Sequence, residues 1–113
     1  MTDDCIFCKL ASGAIPAKVV YSDEAVIAIE DLNPQAPTHL LVMPLRHYAS
    51  VVEASADDSL IARLMAVAAR IGRERGGDAG FRLVLNTGPD GGQTVDHVHV
   101  HVLAGRRMTW PPG

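Results

Sequence analysis

The stretch DHVHVHVLAG, residues 96–105, holds three of the five histidines of this 113-residue chain at every second position. Valine follows each of these histidines. In an extended strand, successive side chains point to opposite faces of the sheet. The spacing therefore predicts a strand over residues 96–103, with His97, His99 and His101 on one face and the valines packing on the other.

Three imidazoles on one face indicate chemistry rather than packing. A purely structural role is unfavourable, because aligned histidines would place like charges together below pH ~6.5. A metal ion held by all three is unfavourable as well. Neighbouring histidines on a strand lie roughly 6.5 Å apart and the outer pair roughly 13 Å, whereas Zn–N bonds measure ~2.0–2.1 Å. We therefore expect at most two of them to bind one ion.

The remaining interpretation is that the histidines have different roles: one attacks an electrophile, and its neighbours orient it and handle protons and negative charge. A neutral imidazole is a good nucleophile near pH ~7, and its attack on phosphorus gives a phosphoramidate that water can hydrolyse. The glycine-rich loop NTGPDGGQT, residues 86–94, directly precedes the histidines and would let backbone N–H groups approach a phosphate. Such a loop is also an ordinary turn, but its position favours phosphate binding, with side-chain donors from Asn86, Gln93 and Thr94.

Length and composition indicate one compact domain, residues 1–113. The net charge is −3, the pI is about 5.9, and the ten lysines and arginines are scattered. This pattern argues against binding to a nucleic-acid polymer but does not exclude a small nucleotide. No window approaches the ~20 apolar residues of a membrane span, so we expect no membrane partner and a cytoplasmic location.

Two cysteines, Cys5 and Cys8, form a C-x-x-C pair near the start of the chain. In a reducing compartment, such a pair is more typical of a metal site or a thiol pair than of a structural disulfide.

Two helices are predicted from apolar spacing and capping residues. The first covers residues 3–12, and the second covers residues 57–75 behind a capping box formed by Ser55 and Asp58. The first helix is expected to bury Ile6, Phe7 and Leu10.

Five strands are predicted from apolar and β-branched runs between turn residues. Their ranges are 18–21, 25–30, 39–44, 81–86 and 96–103. Short turns between most of them favour an antiparallel meander with the long helix over one face, which is an α+β fold.

The segment HVHVHVL resembles the His-φ-His-φ-His-φ-φ signature of the histidine triad (HIT) superfamily of nucleotide hydrolases and transferases, where φ is apolar. The likeness extends over most of the chain. IFCKLASGAIPAKVVYSDEAV and DLNPQAPTHLLVMPLRH resemble the N-terminal and central sections of the family, and NTGPDGGQTVDHVHVHVLAGRRMTWPPG resembles its Hint branch. The resemblance implies a HIT-like fold: a five-stranded antiparallel sheet, one long helix, a short N-terminal helix and a homodimer.

The Hint branch typically comprises purine nucleoside phosphoramidases. The resemblance therefore implies an enzyme that cleaves adenosine 5′-phosphoramidate and similar purine nucleotides to AMP and an amine through a nucleotidyl-histidine. Hydrolysis of dinucleoside polyphosphates, as in other HIT branches, is one alternative. A nucleotide-binding or scaffolding module with little turnover is another, and a metal carrier using the histidine face is a third.

Individual roles are implied by the same resemblance. His99 would be the nucleophile, His101 would contact the α-phosphate, and His39 would support the triad as a fourth histidine. Thr94 stands where many relatives have serine and would assist the leaving group, while Asp31 would accept hydrogen bonds from the ribose. The other implied nucleotide-binding residues are Asn86, Gly92, Gln93 and Thr94 around the phosphate, and Ile6, Phe7, Leu10, Ile15, Ile29 and Leu32 around the base.

Plainer roles remain open for several of these residues. Asp31 would equally open the turn at Asn33–Pro34, and Thr94 would equally cap a strand. The apolar residues of the first helix would equally be ordinary core.

The cysteine pair is similar to that of zinc-carrying bacterial members of the family. The ligands implied by this likeness are Cys5, Cys8, His47 and His97. A closed Cys₂His₂ set is typical of structural zinc, which would hold the fold without activating water. The alternative is that the cysteines are small buried hydrophobes and His47 faces solvent.

Overall fold

A computed structural model of the chain describes residues 4–113. In this range the helices are α1 (Ile6–Ser12), α2 (Val51–Ala54) and α3 (Asp58–Gly76). The strands are β1 (Val19–Ser22), β2 (Val26–Glu30), β3 (Thr38–Pro44), β4 (Phe81–Val84) and β5 (Val100–Ala104). The predicted first helix is confirmed, although its expected start at residue 3 lies outside the described residues.

The five strands form one sheet in the order β1-β2-β3-β5-β4, with every neighbouring pair antiparallel. This confirms the predicted five-stranded antiparallel sheet with a long helix. The expected meander is wrong in its second half, because β5 lies between β3 and β4. The chain leaves β3 through α2 and α3, forms the edge strand β4, and returns through β5, which fills the place between β3 and β4.

The valines of the histidine-rich segment pack against α3, as predicted. Val98, Val100 and Val102 are buried together with a row of α3 side chains at helical spacing, Leu64, Val67 and Ile71. Close packing continues at the end of the helix. A Cβ atom added to Gly72 would lie 2.4 Å from Cδ2 of Phe81, so only glycine fits there.

The opposite face of the sheet, which carries the histidines, has its own apolar cluster. Ile27 and Ile29 of β2 and Leu41 and Met43 of β3 are buried there, and α1 covers them with Phe7 and Leu10. The expectation that Ile6 is buried is wrong, because its side chain is 48% exposed. Ile6 lies on the solvent side of α1.

The predicted capping box is wrong. Asp57 caps α3 instead, because its carboxylate accepts a hydrogen bond from the backbone N–H of Leu60 at 3.1 Å. Ser55 ends the short helix α2, which was not predicted, and its hydroxyl donates to the carbonyl of Val52.

The predicted strand over residues 96–103 is displaced. Pairing begins only at Val100 and continues to Ala104. Before that point the chain turns away, because the N–H of Val98 donates to the carbonyl of Tyr48 at 2.8 Å, outside the sheet ladder. His97 and His99 therefore precede the regular strand. Strand β4 likewise ends at Val84, two residues before its predicted end.

Within residues 4–113, no helix combines the length and the hydropathy that crossing a bilayer requires.

A charged network ties α3 to the turn between β1 and β2. The guanidinium of Arg63 donates to Oδ2 of Asp23 at 2.6 and 3.0 Å and to the hydroxyl of Tyr21 at 2.9 Å. Oδ1 of Asp23 accepts from the backbone N–H groups of Ala25 and Val26. The N–H of Ala25, the hydroxyl of Tyr21 and the guanidinium together hold the pKa of the Asp23 carboxyl well below its usual range.

We expect Arg63→Met to lower the free energy of unfolding, because it removes charge-assisted hydrogen bonds from a carboxylate that also holds the turn between β1 and β2. Urea unfolding followed by circular dichroism measures this change. Arg70→Met, an exposed arginine on the same helix, is the matched control and should unfold like the parent. Equal losses in the two variants would contradict a specific role for the network.

Candidate active site and metal centre

Three of the five histidines gather on the sheet face that α1 partly covers. His39 lies in β3, His101 lies in β5 opposite Leu41, and His99 immediately precedes β5. The ring centroids of His99 and His101 are 5.0 Å apart, and those of His39 and His101 are 5.1 Å apart. The three residues predicted to carry the chemistry are therefore in contact.

The nucleophile predicted from the sequence, His99, has a defined tautomer. Its Nδ1 lies 2.7 Å from the carbonyl oxygen of His97, and a carbonyl only accepts, so Nδ1 carries the ring hydrogen. The lone pair of the neutral ring is then on Nε2. The ring of Phe7 packs edge-on against His99 at 4.9 Å and 86°, which holds the imidazole in this orientation.

His39 and His101 form a relay with the opposite assignment. The backbone N–H of Gln35 donates to Nδ1 of His39 at 3.0 Å, so the ring hydrogen of His39 is on Nε2. This Nε2 lies 2.9 Å from Nδ1 of His101, which must accept. His101 therefore carries its hydrogen on Nε2. One neighbour in the triad offers a lone pair and the other offers a proton.

Burial keeps the reacting imidazoles neutral. It lowers the pKa of His99, and burial, followed by the nearby rings of His99 and His39, lowers the pKa of His101 to about 4. A neutral imidazole is the form required both for nucleophilic attack and for the relay. Both histidines are therefore neutral at pH ~7.

Asp31 borders this cluster and also shapes the turn that follows it. Its Oδ1 accepts from the N–H of Asn33 at 2.8 Å, so the plainer role in the turn is realised. Its Oδ2 lies 3.4 Å from Nε2 of His39, at the edge of the histidine cluster. Asp31, His39 and His101 together are close enough to hold a metal ion. The N–H of Gln35 disfavours this, because Nε2 of His39 would have to give up its hydrogen.

The glycine-rich loop before the histidines is organised by Gln93. Its amide donates to the carbonyls of Ala49 at 2.7 Å and Val95 at 3.0 Å, and its Oε1 accepts from the N–H of Gly88. Both side-chain hydrogens of Gln93 are thus used to hold the loop. Asn86 makes one long contact, from its Nδ2 to the carbonyl of Gly92 at 3.5 Å. Phosphate contacts by these two side chains stay predictions.

Thr94 lies beside the cysteine-containing end of α1. It is exposed and lines a pocket of about 420 Å³. The pocket residues are Asp4, Cys5, Ile6, His47, Thr94, Val95 and Asp96. Assistance to the leaving group by Thr94 stays a prediction.

The residues implied for the base pocket separate into two groups. Phe7, Leu10 and Ile29 are buried in the apolar cluster under α1, and Ile15 packs against that cluster. Ile6 is 48% exposed and Leu32 is 91% exposed, so their side chains are accessible to a ligand. The first group therefore has the plainer role as core, and Phe7 also contacts the nucleophile.

The second cluster is a four-residue metal centre at the start of α1. Nδ1 of His97 lies 3.5 Å from Sγ of Cys5 and 3.5 Å from Sγ of Cys8, and Nδ1 of His47 lies 3.3 Å from Sγ of Cys8. The four ligand atoms all lie within 4.8 Å of one another. Zn–S bonds of ~2.3 Å and Zn–N bonds of ~2.0–2.1 Å at a tetrahedral angle give S···N separations of roughly 3.5 Å. The donor set fits zinc.

Local structure prepares these ligands. Cys5 is the N-cap of α1 and accepts from the N–H of Cys8, so the C-x-x-C pair converges at one helix end. His97 is completely buried, and its Nε2–H donates to the carbonyl of Pro44 at 2.9 Å. This contact turns the lone pair of Nδ1 toward the sulfurs. Backbone contacts of this kind are common around metal-binding histidines.

Backbone groups are the part of the site that sequence reasoning missed. The N–H of Gln35 and the carbonyls of Pro44 and His97 each hold one ring nitrogen. No residue type signals such a contact, because every non-proline residue offers the same N–H and C=O. Only the folded path of the chain aims them.

Comparisons with known proteins agree with this geometry. The family model described as HIT domain matches residues 12–108. An uncharacterized HIT-like protein of Synechococcus elongatus is 45% identical over the full length of both chains. The 14 kDa zinc-binding protein of Zea mays is 44% identical over 96% of this chain and 87% of its own. A solved HIT family hydrolase from Legionella pneumophila superposes with a TM-score of 0.92 at 46% identity, covering 97% of this chain and 100% of that chain.

We expect the protein, purified without a histidine tag, to contain about one zinc ion per chain, because one closed four-ligand centre is present. Cys8→Ser should lose most of this metal and unfold at a lower temperature. Elemental analysis and calorimetry measure the two effects. His101→Asn removes a histidine outside the four-ligand set and should keep its zinc. A metal-free parent protein would contradict the assignment.

Proposed function

Because this chain belongs to the HIT domain family, we propose that it is a nucleotide hydrolase that cleaves purine nucleoside 5′-phosphoramidates to AMP and an amine. The observation that carries the proposal is the pair of opposite tautomers in the triad. His99 offers a lone pair on Nε2, and His101 beside it offers a hydrogen on Nε2. Displacement at phosphorus needs a nucleophile next to a donor for the phosphoryl oxygen.

In the first step, Nε2 of His99 attacks the α-phosphorus and the P–N bond to the amine breaks. The amine leaves with a proton taken from the solvent, and a nucleotidyl-histidine remains; the water that attacks in the second step returns one proton to the solvent. The ring of His99 becomes positively charged by this attack. Its Nδ1–H points at the carbonyl of His97, which stabilises that charge. His101 donates from Nε2 to a phosphoryl oxygen as negative charge develops there.

In the second step, water attacks the same phosphorus and breaks the bond to His99. AMP leaves, and the imidazole returns to its neutral form with the lone pair on Nε2. The overall reaction consumes one phosphoramidate and one water and yields one AMP and one amine.

The remaining parts of the nucleotide would lie on either side of the triad. Asp31, which is only partly buried, would accept hydrogen bonds from the ribose hydroxyls with its Oδ2. The backbone N–H groups of the 86–94 loop would bind phosphate oxygens, and Gln93 would act by holding that loop. The exposed side chains of Ile6 and Leu32 would contact the base.

We infer that the four-residue centre holds structural zinc, as the name of the Zea mays relative states for that protein. Cys5, Cys8, His47 and His97 would fill all four positions, so the ion would stabilise the fold and would not activate water. Through His97 it would also fix the segment that contains the nucleophile.

A homodimer and a cytoplasmic location remain part of the proposal. Strand β4 is an edge of the sheet, and Phe81 at its start is 37% exposed. An unpaired edge with an exposed aromatic residue supports pairing with a second copy of the chain.

We expect His99→Ala to hydrolyse adenosine 5′-phosphoramidate more than about 10³-fold more slowly than the parent, because the only nucleophile of the mechanism is removed. Product formation followed by chromatography measures the rate, and mass spectrometry of quenched parent protein should detect the nucleotidyl adduct. Arg70→Met, an exposed change on α3 outside both the metal centre and the triad, is the comparison variant and should keep the parental rate. Parental turnover in His99→Ala would refute the mechanism, and faster cleavage of diadenosine polyphosphates by the parent would reassign the substrate.

We expect kcat/KM to fall as the pH is lowered below 6.5, the ordinary pKa of histidine, because protonation of His99 removes its lone pair. The pKa of His99 is lowered and that of His101 is about 4, so the decline should occur between pH 6.5 and about 4. The free energy of unfolding should fall over the same range, because the histidines of the unfolded chain bind protons at a pH at which the buried rings of the folded chain are still neutral. Rates and thermal unfolding measured across this range test both effects, and an acidic decline centred above pH 6.5 would contradict them.

A further inference from the structure

We propose that the backbone N–H of Gln35 is a positioning group for catalysis, because it sets the direction of the hydrogen bonds from His39 to His101. The catalytic consequence rests on the proposed function, whereas the hydrogen-bond direction itself does not. Gln35 lies in the loop between β2 and β3, and no sequence pattern assigns it a role.

The argument begins with what each atom can do. A backbone N–H only donates, so Nδ1 of His39, 3.0 Å from it, must present a lone pair. The hydrogen of the neutral ring is then on Nε2, which lies 2.9 Å from Nδ1 of His101. That atom must accept, and the hydrogen of His101 is therefore on Nε2. One peptide N–H determines the state of a ring two hydrogen bonds away.

We call the direction described above, with His39 donating to His101, the parental order, and the opposite direction the reversed order. The reversed order would obstruct the reaction. If His39 carried its hydrogen on Nδ1, its Nε2 would accept from Nδ1 of His101, and Nε2 of His101 would present a lone pair. Two neighbouring lone pairs, on His99 and His101, would then face the anionic phosphoryl oxygens. The N···N distance of 2.9 Å fits both orders equally, so only the contact at the far side of His39 distinguishes them.

The peptide group at residue 35 is held firmly although the side chain of Gln35 is exposed. Its carbonyl accepts from Nε of Arg106 at 2.9 Å, and its side-chain amide donates to the carbonyl of Asn33 at 3.0 Å. Gly105, next to Arg106, lies so close to this loop that an added Cβ would be 2.8 Å from Cβ of Pro37. Gly105 and Arg106, which follow β5, thus fix the loop so that the N–H of Gln35 points at His39.

Asp31 is the other group that favours a hydrogen on Nε2 of His39. Its Oδ2 is 3.4 Å from that nitrogen, which is longer than an ordinary hydrogen bond, whereas the N–H of Gln35 makes a direct one. The two influences act on different ring nitrogens, and separate variants therefore distinguish them.

The test reads the tautomers directly. Full-length protein labelled with ¹⁵N-histidine gives ring nitrogen signals that differ strongly between N–H and lone-pair nitrogens, and the chain has only five histidines. The decisive variant replaces the amide nitrogen of residue 35 by an ester oxygen, which removes the hydrogen without adding atoms. Gln35→Ala, which keeps the N–H, is the matched control. Arg106→Gln loosens the carbonyl side of the same peptide.

We expect the ester variant to raise the population of the reversed order about fivefold, the loss expected for one hydrogen bond. Its kcat should fall in proportion to the molecules that lose the parental order, with KM unchanged, because residue 35 does not touch the nucleotide. Gln35→Ala keeps the N–H and loses only the contact to the carbonyl of Asn33, so it should shift the order much less than the ester variant. Arg106→Gln should shift the order in the same direction as the ester variant, by less. If the ester variant does not fold, the ¹⁵N spectra of Arg106→Gln decide whether the peptide at residue 35 sets the order.

The parental order in both the ester and the Arg106→Gln proteins would overturn the proposal. So would reversal in Asp31→Asn with no change in the ester variant. Absence of phosphoramidate hydrolysis in the parent would instead refute the proposed function, while the spectra would still decide the direction of the relay.

Discussion

The chemistry of this fold depends on the way one ring nitrogen of each central histidine is committed to a backbone group. A neutral imidazole has one N–H and one lone pair, so fixing one nitrogen fixes what the other offers. The carbonyl of Pro44 turns a lone pair of His97 to the cysteines, and the carbonyl of His97 turns a lone pair of His99 to the substrate side. The N–H of Gln35 places the hydrogen of His39 on Nε2, where it is donated to His101. Residues of one type thereby acquire three different functions.

His97 joins the two centres. Its Nδ1 belongs to the metal cluster, and its carbonyl accepts from the ring of His99. Phe7, between the two cysteines of α1, packs against the rings of both His97 and His99. An ion that holds α1 therefore also holds two of the contacts that orient the nucleophile. A zinc without an open coordination position would thus contribute to the proposed reaction by restricting motion of the imidazole rather than by activating water.

Much of this arrangement could be predicted from side-chain patterns. The alternation in residues 97–102 gave the valine face and the histidine face, because that period belongs to extended chain. The resemblance to zinc-carrying members of the family implied the ligands Cys5, Cys8, His47 and His97, which the structure brings together. Burial of Ile6 was predicted wrongly, because a seven-residue helix with several apolar residues cannot bury all of them on one side. The place of β5 between β3 and β4 was missed, because the return of the chain depends on contacts far apart in the sequence.

The displaced start of β5 has a functional reason. In a regular antiparallel ladder, backbone carbonyls are paired with the neighbouring strand. A strand running from residue 96 would have drawn the backbone of residues 97–99 into such pairing. Because pairing begins at Val100, the carbonyl of His97 lies outside the ladder and accepts from Nδ1 of His99 instead. The alternation of buried valines includes Val98, so the packing on α3 begins before the strand pairing does. An unpaired segment is what allows a histidine to be oriented by the backbone of the residue two positions before it.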